Sequence, residues 1–129
     1  MRKGFTLLEL IIVIIIIGIL ATLGFTQYSK MIEKGRMAEA NSVLGNIRTM
    51  EKAYELEHGT WGDLAAVGLG DLPAGNCSSK YFFQYGVNTG AGTATANRCT
   101  GSGKTPNIKA GGAYNITVDF ENGTLQGGP

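Results

Sequence analysis

The sequence predicts an α+β protein: one long N-terminal helix, half apolar and half amphipathic, packed on a small antiparallel sheet. Three observations carry this. No proline interrupts residues 5 to 58, and that run changes from apolar all round to apolar on one stripe. Tyr114, Ile116, Val118 and Phe120 alternate with Asn115, Thr117 and Asp119, the pattern of a strand with one buried face. Between them lies a glycine-rich stretch that holds both cysteines, Cys77 and Cys99.

The first element opens on a short basic leader, residues 1–4, followed by an apolar segment, residues 5–29. From Leu10 to Phe25 nothing is more polar than Thr22. Phe5 to Phe25, at about 1.5 Å per residue, spans roughly 31 Å, enough to cross a hydrocarbon core. The run is longer than the apolar stretch of an ordinary secretory signal, and Ala21-Thr22-Leu23-Gly24 is a poor cleavage site with bulky Leu23. The segment is therefore expected to be retained. So short a chain cannot bury a helix that is apolar all round, which argues against a soluble core helix.

Glu9 is the only charge between Gly4 and Ser29. A lone carboxylate at the centre of a bilayer helix costs about 2.5–3.5 kcal/mol on insertion scales, so it marks function by default. A plain single-pass anchor with an incidental Glu is the alternative. Arg2, Lys3 and the amine of Met1 favour a cytoplasmic N-terminus, while Lys30, Lys34 and Arg36 beyond the other end count against it.

The helix is expected to continue through residues 30–58. Ala40, Val43, Ile47, Met50 and Tyr54 recur at spacings of three and four, widened by Leu44. Lys34, Glu39, Arg48, Glu51, Lys52 and Glu55 are read as filling the outward faces, and Gly59 after His58 is a natural left-handed cap. Residues 59–80 read as a connecting loop, with Asp63 capping a short turn over Leu64 to Val67 and Trp61 covering the core. The sheet is expected in residues 81–129: strands over Tyr81–Val87, Thr93–Cys99 and Tyr114–Phe120, a tight turn at Asn122-Gly123, and a short return strand over Thr124 to Gln126.

Catalytic constellations are missing. The one histidine, His58, sits at a helix end, and with two cysteines it does not make a zinc site. Gly103-Lys104-Thr105 lacks the glycine five residues earlier that a phosphate loop needs, and reads as a plain loop. The sequence therefore points to no enzyme, no cofactor and no metal. The chain has 11 basic and 10 acidic residues, so broad attraction to nucleic acid is not expected. Arg98, Lys104 and Lys109 form at most a weak, salt-sensitive strip for DNA. Asn76, Asn115 and Asn122 each begin a short glycosylation pattern that is frequent by chance.

The stretch Gly4-Phe5-Thr6-Leu7-Leu8-Glu9-Leu10-Ile11-Ile12-Val13, continuing to Gly18-Ile19-Leu20-Ala21 and Gln27-Tyr28, resembles the start of a type IV prepilin. The resemblance is close over roughly the first 30 residues. It implies cleavage after Gly4 by a prepilin peptidase and N-methylation of the new terminus, Phe5. It also implies contact of Glu9 with the freed amine of Phe5 on a neighbouring subunit of a homo-oligomeric helical filament. The family often carries a proline where this chain has Thr26, so the kink such a proline causes is not implied. Removing Arg2 and Lys3 leaves 9 basic against 10 acidic side chains.

The resemblance and the two cysteines both place the C-terminal part outside. There an even cysteine count favours a Cys77–Cys99 disulfide; closing about 20 residues is worth roughly 3 kcal/mol in the loop-entropy model. The implied life history is a precursor in the inner (cytoplasmic) membrane, acted on by the peptidase and inner-membrane assembly machinery, then an extracellular filament. Adhesion, motility and DNA uptake are the tasks such filaments serve. A pseudopilin of a type II secretion system is the alternative within the family, and a monomeric membrane-anchored binding module the alternative outside it.

Overall fold

A computed structural model describes residues 3–104 and 112–129. One helix, α1, runs from Leu7 to His58, followed by four strands: β1 (Phe83–Asn88), β2 (Thr93–Arg98), β3 (Asn115–Asp119) and β4 (Leu125–Gly127). The chain divides into two compact units, Met1–Ile32 and Glu33–Pro129.

In the first unit α1 makes no buried apolar contact: from Phe5 to Phe25 every large hydrophobic side chain is 40–89% exposed. An 18-residue window reaches a mean hydropathy of 2.9, so the helix is long and apolar enough to cross a membrane. Its serine and threonine hydroxyls are satisfied internally. Thr22 donates to the Ile19 carbonyl (2.8 Å), Thr26 to Leu23 (3.1 Å) and Ser29 to Phe25 (3.1 Å), which lets these polar groups sit in an apolar setting without stranded donors.

The second unit is a helix segment laid on an antiparallel sheet of order β1-β2-β3-β4. Strand alternation puts Phe83 and Tyr85, Ala94 and Ala96, and Ile116 and Val118 on the face that meets Ala40, Leu44 and Ile47 of α1. The register lines up Tyr85, Ala96 and Ile116 in one row across the sheet, and Val87, Ala94 and Val118 in the next. The alanines on the central strand leave room over which the helix residues settle. Phe120, just past β3, closes the core, with the Trp61 ring tilted against it at 5.0 Å between centroids.

Two expectations about the helix stripe are corrected. Met50 is 43% exposed, whereas Glu51, read as an outward charge, is fully buried. The buried series is Ala40, Leu44, Ile47, Glu51, spaced four, three and four, so the stripe drifts one residue past the apolar pattern. Helix ends behave as expected: Gly59 takes a left-handed φ of 75° and donates its N–H to the Glu55 carbonyl at 2.7 Å.

Residues 59–80 carry turns and no strand, and Asp63 Oδ1 accepts the Ala66 N–H at 2.7 Å, capping the turn that follows. β1 begins at Phe83, two residues later than the aromatic run suggested. The β3–β4 connection is also longer than a two-residue turn. Phe120 must reach the core first, so Asp119 Oδ1 accepts the N–H groups of Glu121 (2.9 Å) and Asn122 (3.0 Å), and Gly123 closes the loop at φ 72°. Cys77 and Cys99 form a disulfide with Cα atoms 5.9 Å apart, tying the connecting loop to the end of β2.

Candidate functional site

The sequence directs attention to Gly4, Phe5 and Glu9, and the structure gives this N-terminus a local design. Thr6 is the residue before the first helical position, and Glu9 is the third within it. The Thr6 hydroxyl accepts the Glu9 N–H at 3.2 Å, while the Glu9 carboxylate accepts both the Thr6 N–H and the Thr6 hydroxyl proton at 3.2 Å. This is a reciprocal capping box, Thr-x-x-Glu, which satisfies donors that a helix start otherwise leaves open. A carboxylate here also meets the positive end of the helix dipole. The box is legible in the residues Thr6 to Glu9 as a sequence pattern, and reading Glu9 only as a membrane-buried charge passes over it. Phe5 precedes the box and is 89% exposed, with Leu7 and Leu8 exposed beside it.

A second polar cluster, inside the Glu33–Pro129 unit, is invisible to local pattern. Glu33 is buried on α1, and Arg98, at the end of β2, points into the core beside it. Arg98 Nε donates to Glu33 Oε1 at 2.6 Å and the Tyr114 hydroxyl donates to the same oxygen at 2.7 Å. Arg36 donates to Oε2 at 3.0 Å. Arg98 also donates to the carbonyls of Phe82 (3.1 Å) and Cys99 (2.8 Å), so one guanidinium ties helix, strand and disulfide together. Burial by itself raises the Glu33 carboxyl, but hydrogen bonds from Arg98, Tyr114 and Arg36 and the charge of Arg98 outweigh it and hold the group below its usual range. Burial, then the Glu33 hydrogen bond and charge, push the Tyr114 hydroxyl upward.

Arg98 is thus removed from any surface strip: its side chain is 0% exposed. Lys109 lies outside the described residues, and Lys104 is exposed with its Nζ 4.7 Å from the centroid of the Phe82 ring. Among the described residues no group of three or more His, Cys, Asp or Glu side chains is placed to hold a metal.

The fold and the N-terminal pattern point the same way as the comparisons. A family described as the prokaryotic N-terminal methylation motif matches residues 1–25. A type IV major pilin protein PilE1 of Neisseria gonorrhoeae is 31% identical over 126 residues, covering 98% of this chain and 74% of that protein. The chain belongs to the type IV pilin family. A second gonococcal PilE1 is 33% identical over 97 residues, 75% of this chain and 54% of its own length. The fimbrial protein EcpC of Eikenella corrodens is 35% identical over 95 residues, 73% of this chain and 62% of that protein. This pilin therefore spans between about half and three quarters of the relatives named here. Agreement with a relative along nearly the whole chain carries the assignment past the leader and helix into the sheet.

Proposed function

We propose that this pilin is a structural subunit of an extracellular filament of the type IV pilus class. The observation that carries the reading is an apolar helix exposed all round in the single chain, bearing one carboxylate at its first turn. Such a surface is covered either by lipid or by other helices of its kind, and a head-to-tail repeat of one contact gives an open fibre. Cleavage after Gly4 by a prepilin peptidase creates an ammonium, methylated in this family, at Phe5. Glu9, already fixed by its capping box, then presents a carboxylate to the Phe5 ammonium of a neighbouring subunit. The uncleaved chain carries its amine four residues earlier, so processing acts as an assembly switch. The chain rests in the inner membrane as a precursor and passes to the surface through the inner-membrane assembly machinery. The filament serves adhesion, motility or DNA uptake.

Intact mass of the protein from filaments sheared off its native cells tests processing and export together. The expected mass is that of a chain starting at methylated Phe5 with two hydrogens lost at Cys77 and Cys99. A protein found in the membrane with Met1 to Gly4 attached, and missing from the sheared fraction, overturns the reading in favour of an anchored binding module. Glu9→Gln separates the two roles of that side chain. Glutamine keeps a capping box but carries no charge, so Glu9→Gln, like Glu9→Ala, is expected to fail in assembly. Normal filaments from Glu9→Gln would leave the residue a cap and nothing more.

A further inference from the structure

A second recognition feature lies on the free edge of β1, far in sequence from the N-terminus. Cys99 N–H donates to the Phe82 carbonyl at 3.0 Å, and ladder alternation then turns the main-chain groups of Phe83, Tyr85 and Val87 away from β2. The connecting loop covers part of this edge: Tyr85 N–H donates to the Pro73 carbonyl at 2.7 Å. Proline has no N–H to return, so Pro73 cannot pair the Tyr85 carbonyl, and among the described residues Ala74 and Gly75 add no main-chain hydrogen bond to β1. Here lies a cleft of about 400 Å³ lined by Tyr85, Gly86 and Val87 of the strand and by Asp63, Leu64 and Ala74 among others. The walls are small, so main chain of an incoming strand can approach the edge.

Charge selects the occupant. Among the described residues lining the cleft, Asp63 is the one charged side chain. Asp63 uses Oδ1 to cap Ala66, and it has no ion-pair partner among the described residues.

We propose that this cleft is a strand-addition site for an extended peptide segment carrying a Lys or Arg that meets Asp63. One residue of a parallel incoming strand donates to the Tyr85 carbonyl and accepts from the Val87 N–H, with its neighbour's basic side chain over Asp63. The inference goes beyond the filament reading and does not depend on it: it concerns what the second unit binds, whether or not the helices assemble.

The test uses the full ¹⁵N-labelled chain in detergent micelles and two blocked heptapeptides of alternating Thr and Val, one with a central Lys and one with a central Glu. Titration with the Lys peptide is expected to shift the amides of Gly75, Gly86 and Val87 and to slow hydrogen exchange at Val87. An exposed-rim charge pair is worth about 0.2–1 kcal/mol, so the Lys peptide is expected to bind about fivefold more tightly than its Glu twin. Asp63→Asn keeps the turn's cap and is expected to erase that preference. Ala74→Phe fills the cleft from an exposed position outside the core, so it is expected to abolish binding with the fold intact. Unmoved Gly86 and Val87 amides at saturating peptide, equal affinity of the two peptides, or binding that survives Ala74→Phe each overturns the proposal.

Discussion

Replacing Glu33 by glutamine keeps the shape of the side chain and removes the charge that faces Arg98. The two side chains are 4% and 0% exposed and 2.6 Å apart, so the variant takes the Glu33 charge away from a guanidinium in the core. Breaking a buried pair from one side costs about 3–5 kcal/mol. Arg98 keeps its carbonyl partners at Phe82 and Cys99, which places the expected loss near the lower figure, about 3 kcal/mol. In a unit of under 100 residues, 1 kcal/mol moves the melting midpoint by about 4–8 °C, giving a drop of roughly 12–24 °C. Near-ultraviolet circular dichroism of the full chain in detergent, with the disulfide intact, reads this transition. The double variant Glu33→Leu with Arg98→Met is expected to recover most of the loss, because a buried pair replaced by apolar groups of similar volume is often neutral or stabilising. A Glu33→Gln midpoint within about 3 °C of the parent, less than 1 kcal/mol on the same scale, would refute the reasoning, as would a double variant no better than the single one.

Glu51→Gln is expected to act in the opposite direction. Burial, with a smaller push from the charge of Asp63, raises the Glu51 carboxyl, although the Gly62 N–H donated to it pulls the other way. A raised folded value means the stabilising contribution is complete below the unfolded carboxylate range and is lost as pH rises through the folded value. The glutamine variant should therefore be more stable than the parent at neutral pH and no more stable in acid, as thermal midpoints across pH will show. Glu33, held low, has the reverse sign: its contribution is present above the unfolded range and is lost as pH falls through the folded value, which Glu33→Gln should flatten in acid titration. Replacing Cys77 and Cys99 together by serine is expected to cost about 3 kcal/mol in denaturant titration, since the bond closes a separation of 22 residues. Gly92→Ala places a methyl 2.9 Å from Trp61 Nε1 at a φ of 66°, and a red shift in the emission of this single tryptophan reports the displacement.

The helix, the strands and the loop between them were legible because their signals are local. Alternation at Ile116 and Val118, spacing at Ala40, Leu44 and Ile47, and the glycine after His58 each act within a few residues. The clamp at Glu33 was not legible, because its partners lie 65 and 81 residues away and no periodicity announces a pairing of that range. Glu51 misled for a related reason. Its charge suggested solvent, but position on the helix decides burial, and Gly62 supplies the N–H that makes the position tolerable. At the N-terminus the signal lay within four residues, yet one side chain carries two meanings, a cap and a membrane charge, and the second obscured the first.

The sheet order also sets an order in time. β1 pairs with β2, β2 with β3 and β3 with β4, so every strand meets its partner as soon as the next one is available. A chain that crosses a membrane behind its N-terminal helix can lay down such a meander as it arrives, with short loop closures between β1 and β2 and between β3 and β4. The demanding closures are those that bring Arg98 and Tyr114 back to Glu33. Until they are made, Arg98 and the Glu33 carboxylate are apart. The same contacts that hold the finished Glu33–Pro129 unit together therefore also report that it is finished.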